Sequence, residues 1–145
     1  AESTIYTIVP DFKEQECFKG VQVHWLSHWL ATYKVCGRAW WFPLQQKPSH
    51  DKIFQMQSWL WHLYASHTPF ACRKSVGAWL ARNKYFKAQT KEQSSKTSAG
   101  LFCAELVAEA LQVAGIIDST LNPAAQTPKD LMNLTCFQKP TLILP

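Results

Sequence analysis

The chain has 145 residues, of which 47% are apolar and 17% charged, and it carries a formal charge of +5. That balance suits a single domain over residues 1–145 with a real core; with 5 glycines and 8 prolines it excludes collagen-like and low-complexity chains. No apolar run approaches the ~18 residues of a membrane helix, and Ala1-Glu2-Ser3-Thr4 has neither the basic nor the apolar stretch of a secretory leader.

The β-rich run Ile5 to Val9 opens the chain as a strand or extended entry. Val21-Gln22-Val23-His24-Trp25 alternates apolar and polar residues, as a half-buried strand does. Ser27 is placed to cap a helix over His28 to Lys34, which Gly37 ends. A strand over Ala39 to Leu44 follows, stopped by the polar, proline-containing Gln45 to His50. Asp51 then opens a helix whose Ile53, Phe54, Gln57, Leu60, Trp61 and Tyr64 recur at helical spacing and form a broad apolar face. Thr68-Pro69-Phe70 breaks it, Val76 to Tyr85 repeats a helical pattern, and Lys87 to Gly100 reads as a long polar loop.

Leu101 to Ala114 is the sharpest segment, rich in strong helix formers, with Leu106, Val107, Ala110, Leu111 and Ala114 on its apolar face and Gly115 as its stop. Thr127 is placed to cap a short helix with Pro128 at its first position and Asp130 in its first turn. Thr141 to Leu144 reads as a last strand. The seven tryptophans (Trp25, Trp29, Trp40, Trp41, Trp59, Trp61 and Trp79) lie mostly in apolar segments and read as core, not as stacking platforms for a nucleic acid.

Arg82, Lys84, Lys87, Lys91 and Lys96 concentrate basic charge in one polar stretch. They form either a solvated helix end and loop or a weak anionic-surface site. The five cysteines are odd in number, form no CxxC pair and follow no zinc spacing, which points to free thiols and a reducing compartment such as the cytoplasm, or to at least one thiol with a task.

Cys103 stands at the start of the strongest helix, just after a polar loop. Free backbone N–H groups at such a place favour a thiolate and can bind the oxyanion of an acyl-transfer intermediate. Spacing alone leaves a second reading open, an ordinary buried cysteine on an apolar helix.

Phe102-Cys103-Ala104-Glu105-Leu106-Val107, then Gly115, Asn122-Pro123 and Thr127-Pro128-Lys129-Asp130-Leu131, resembles the end of the circularly permuted NlpC-type papain-like cysteine hydrolases. Their motif reads Phe/Tyr-Cys-Ser-Glu-Leu-Val, so Ala104 replaces a frequent serine. Gly20-Val21, the Leu26 to Tyr33 segment, Trp40 to Leu44 and Thr68-Pro69-Phe70 resemble that family's middle section. The resemblance implies an α+β papain-like fold, with the Leu106, Val107, Ala110 and Leu111 face of the Cys103 helix packed against a small antiparallel sheet that contains Val21 to Trp25 and Trp40 to Leu44. It also implies a catalytic histidine on a strand upstream of Ala1, so the chain would be the C-terminal larger part of such a domain, lacking its first strands. Glu2, in Glu2-Ser3-Thr4, resembles the polar partner that orients this histidine.

The activity so implied is that of a cysteine hydrolase or acyltransferase, cleaving an amide, ester or thioester through a thioester at Cys103. Its substrate would be a peptide, a peptidoglycan stem or a lipid acyl group, with no metal or organic cofactor. A catalytically inactive binding or scaffold module of the same fold is the alternative. His24 and His28 have the spacing of two helical metal ligands, yet Trp25 stands where a metalloprotease needs Glu, and the strand reading takes His24 off the helix. His50, His62 and His67 lie in or beside the Asp51 helix and read as helix-face residues.

Overall fold

Short-range pattern and turn chemistry account for most of the local structure. The computed structural model describes residues 6–7, 20–34, 37–69 and 103–144. Glu2, the helix expected over 76–85, the loop expected over 87–100 and the basic residues Arg82, Lys84, Lys87, Lys91 and Lys96 lie outside the described residues.

The elements are β1 (Tyr6–Thr7), β2 (His24–Trp25), α1 (Leu26–Tyr33), β3 (Ala39–Trp41), α2 (His50–Ala65), α3 (Cys103–Val113), a 3₁₀ turn (Pro123–Ala125), α4 (Pro128–Met132) and β4 (Thr141–Leu144). The molecule is therefore α+β. Among the described residues the strands form two separate antiparallel ribbons, β1 with β2 and β3 with β4. The expected single sheet holding both Val21 to Trp25 and Trp40 to Leu44 is not formed by these residues. The first strand is shorter than its alternation implied. Val21 is buried instead by its neighbours, with its N–H donating to the Thr68 carbonyl at 3.0 Å. The Ala39 to Leu44 strand breaks after Trp41, because Pro43 has no N–H to give to a ladder. Leu44 then makes a single bridge to Phe137.

Helix α1 starts at Leu26 with Trp25 as its N-cap and no side-chain cap, so Ser27 lies inside the helix rather than before it. Helix α2 starts at His50, where the Ser49 hydroxyl accepts the Lys52 N–H at 3.4 Å. It ends through Ser66, whose hydroxyl donates to the His62 carbonyl at 2.8 Å, and through His67, which takes a left-handed φ of 50°. Helix α3 stops at Gly115, as the sequence indicates. Gly115 has φ 66°, and the Ile116 N–H returns to the Leu111 carbonyl at 2.9 Å, the closing bond of a Schellman turn.

The core centres on α3, which packs against α2, the 3₁₀ turn and α4. Among the described residues these elements, rather than either ribbon, are the main partners of α3, where a sheet was expected. The buried residues of α3 are Ala104, Glu105, Leu106, Ala108 and Leu111. Ala104 and Ala108 meet Leu131, with Ile117, Leu121 and Leu134 packed around them. Small side chains at this contact let α4 approach the helix closely. Val107, expected on the buried face, is exposed. The tryptophans depart furthest from expectation: Trp25, Trp40, Trp41 and Trp61 are exposed, and α2 buries no residue fully. Among the described residues, no helix is long and apolar enough to cross a membrane.

Candidate functional site

Cys103 is the first residue of α3 and its thiol is free and exposed, where the sequence places it. One helical turn further along the same face lies Val107. Opposite them stands α4, whose position is set by its cap. The Thr127 hydroxyl accepts the Asp130 N–H at 3.1 Å, and an Asp130 carboxylate oxygen accepts the Thr127 N–H at 2.9 Å and the Thr127 hydroxyl at 2.6 Å. This capping box was legible as Thr-Pro-x-Asp. It holds α4 so that Leu131 enters the α3 contact while Met132 stays outside.

Between the two helices runs a groove of about 280 Å³ lined by Phe42, Cys103, Ala104, Val107, Pro128, Leu131, Met132 and Phe137. Its lining is almost entirely apolar. Phe42 and Phe137 meet edge to face across it, ring centres 6.0 Å apart and planes at 71°. Phe42 comes from the end of β3. Phe137 is fixed by the bridge to Leu44 and by the neighbouring bond from the Gln138 N–H to the Pro43 carbonyl at 2.7 Å. The exposure of Val107 follows from this arrangement, since it faces the groove rather than the core. No sequence period marks Phe42, Met132 and Phe137 as neighbours of Cys103, because the chain brings them there from three separate segments.

No histidine lines this groove among the described residues. His28, His50, His62 and His67 are exposed. His24 is half-buried on β2 with its ring edge-on to Trp29 at 5.8 Å, and its Nε2 is buried without a hydrogen-bond partner. Glu105, two residues beyond Cys103, is buried and does not line the groove. Among the described residues, no three His, Cys, Asp or Glu side chains gather as a metal would need.

A second thiol offers a contrast. Cys136 is half-buried beside a smaller pocket of about 210 Å³ that also includes Lys47 and Gly115. Burial pushes its thiol pKa up, opposed by a backbone hydrogen bond. Of the two described cysteines, Cys103 is the accessible one and opens on an apolar cleft.

No protein-family model, curated protein or solved structure matches the chain.

Proposed function

We propose that this chain carries the nucleophile of a cysteine hydrolase or acyltransferase, with Cys103 attacking the carbonyl of an acyl substrate. The observation that supports this is an exposed thiol at the first position of α3, bordered by a groove that offers an acyl group apolar walls. The Cys103 sulfur bonds to the carbonyl carbon, and the alcohol, amine or thiol leaves with a proton delivered by a general acid. Water, or an acceptor, then cleaves the thioester and returns the sulfur. The first turn of an α-helix presents N–H groups that no helix carbonyl takes up, and such groups suit the oxyanion of both steps. The resemblance of Phe102-Cys103-Ala104-Glu105-Leu106-Val107 to the permuted papain-like hydrolases supports the same assignment, with Glu2 as the residue orienting the base.

Of a peptide, a peptidoglycan stem and a lipid acyl group, the groove suits the lipid acyl group best. A charged peptide would meet no polar side chain on the walls beyond Cys103. Among the described residues no histidine belongs to this lining, which favours a second reading, a non-catalytic module that binds an apolar group on the same fold.

Hydrolysis of p-nitrophenyl esters separates the two. The catalytic reading expects turnover of a medium-chain acyl ester, weaker turnover of a charged acyl ester, and loss of both in Cys103→Ala. A general base is worth about 10²- to 10⁴-fold to such a thiol, and where the chain turns the ester over, single His24→Ala, His28→Ala and His67→Ala substitutions test whether one of its own histidines supplies it. Equal rates for the parent chain and Cys103→Ala would leave only the binding module.

A further inference from the structure

Beside the Cys103 groove, the β3–β4 ribbon carries large apolar side chains in solvent. Trp40 and Leu142 oppose one another across the ribbon and so share a face, yet they remain 51% and 41% exposed. Trp41 is 57% exposed, and Ile143, at the register shift, 45%. Neither outer edge of the ribbon bears a third strand among the described residues. Two large apolar side chains opposed across one ribbon face and left this exposed mark a place of association.

Charge selects the occupant. Arg38 just before β3 and Lys139 just before β4 are exposed, and residues 37–50 and 133–145 contain no Asp or Glu. Tryptophan and aliphatic side chains flanked along the chain by cations match the boundary between the headgroups and acyl chains of an anionic membrane.

We infer that the β3–β4 ribbon docks the protein on an anionic membrane surface, with Trp40 and Leu142, which share one face, entering the interface and Arg38 and Lys139 at the ribbon's ends meeting lipid phosphates. This surface continues into the Cys103 groove through Phe42, which directly follows β3. Docking is nevertheless independent of the thiol chemistry, so either can fail alone.

The test is co-sedimentation of the full chain with phosphatidylcholine vesicles, with and without about a quarter phosphatidylserine. Binding should require the anionic lipid and fall with salt. Arg38→Glu combined with Lys139→Glu should weaken it by about tenfold or more. Trp40→Ser combined with Leu142→Ser should weaken it by a similar factor. Cys103→Ala should bind as the parent does. The charge pair lies on the exposed surface, so its circular dichroism should stay unchanged, and it carries the test if the Trp40 and Leu142 variant unfolds. No binding to the anionic vesicles overturns the inference. So does binding that survives the Arg38 and Lys139 reversals but is lost in Lys84→Glu with Lys87→Glu, because the site would then be elsewhere. Sedimentation equilibrium showing a dimer that the ribbon variants dissociate, without vesicle binding, would assign the ribbon to a second copy.

Discussion

Gly20 occupies a position that no side chain fits. Its φ is 72°, and a Cβ there would stand 2.5 Å from the Thr68 carbonyl oxygen and 2.7 Å from that of His67. The same approach lets the Val21 N–H bond Thr68, which ties the chain before β2 to the end of α2. Gly20→Ala should therefore destabilise the fold by at least about 2 kcal/mol, read as a lower urea midpoint, from left-handed strain and the forced separation of two backbones. Cys136 shows a different effect of burial. Its raised pKa means that the folded state favours the protonated thiol. That contribution to stability is complete at and below neutral pH and is lost as pH rises through the thiol's folded-state range. Timed iodoacetamide labelling with peptide mapping should find Cys103 modified first near neutral pH, with Cys136 catching up only in alkali. Equal early labelling of both would show that Cys136 is not shielded as its surroundings imply.

At the scale of elements, α4 depends on two side chains. Thr127 and Asp130 cap it reciprocally, and Leu131 on its inner face reaches Ala104 and Ala108. Thr127→Ala should cost about 1 kcal/mol in a denaturant titration, and because α4 forms one wall of the groove, it should also raise the KM for an acyl ester. This cap could be read in advance because all its parts lie within four consecutive residues. So could the Gly115 stop, the Cys103 start of α3 and the last strand at Thr141, each set by local propensity or turn chemistry. What could not be read depends on neighbours distant in sequence. Val107 shares the helical period of Leu111, but it borders Met132 and Phe137 at the groove instead of core. Trp40 and Trp41 resemble core strand residues in composition, yet among the described residues their strand pairs only with β4 and both side chains stay more than half exposed. Alternation reports that a strand has two faces, not that another layer lies against either.

At the scale of the whole molecule, three segments far apart in sequence converge on one cleft. The end of β3 brings Phe42, the start of α3 brings Cys103, and the chain from α4 to β4 brings Leu131, Met132 and Phe137. An accessible thiol and an apolar cleft thus arise from one packing arrangement, and in the proposed reaction they would serve as nucleophile and acyl site. The central claim is that Cys103 accepts an acyl group held in this cleft. The direct measurement is peptide-resolved mass spectrometry after brief incubation with p-nitrophenyl decanoate. The account predicts a decanoyl adduct on the Cys103 peptide that neutral hydroxylamine removes, with little on Cys136 and none at position 103 in Cys103→Ala. An unmodified Cys103, or an adduct shared evenly between Cys103 and Cys136, would contradict it.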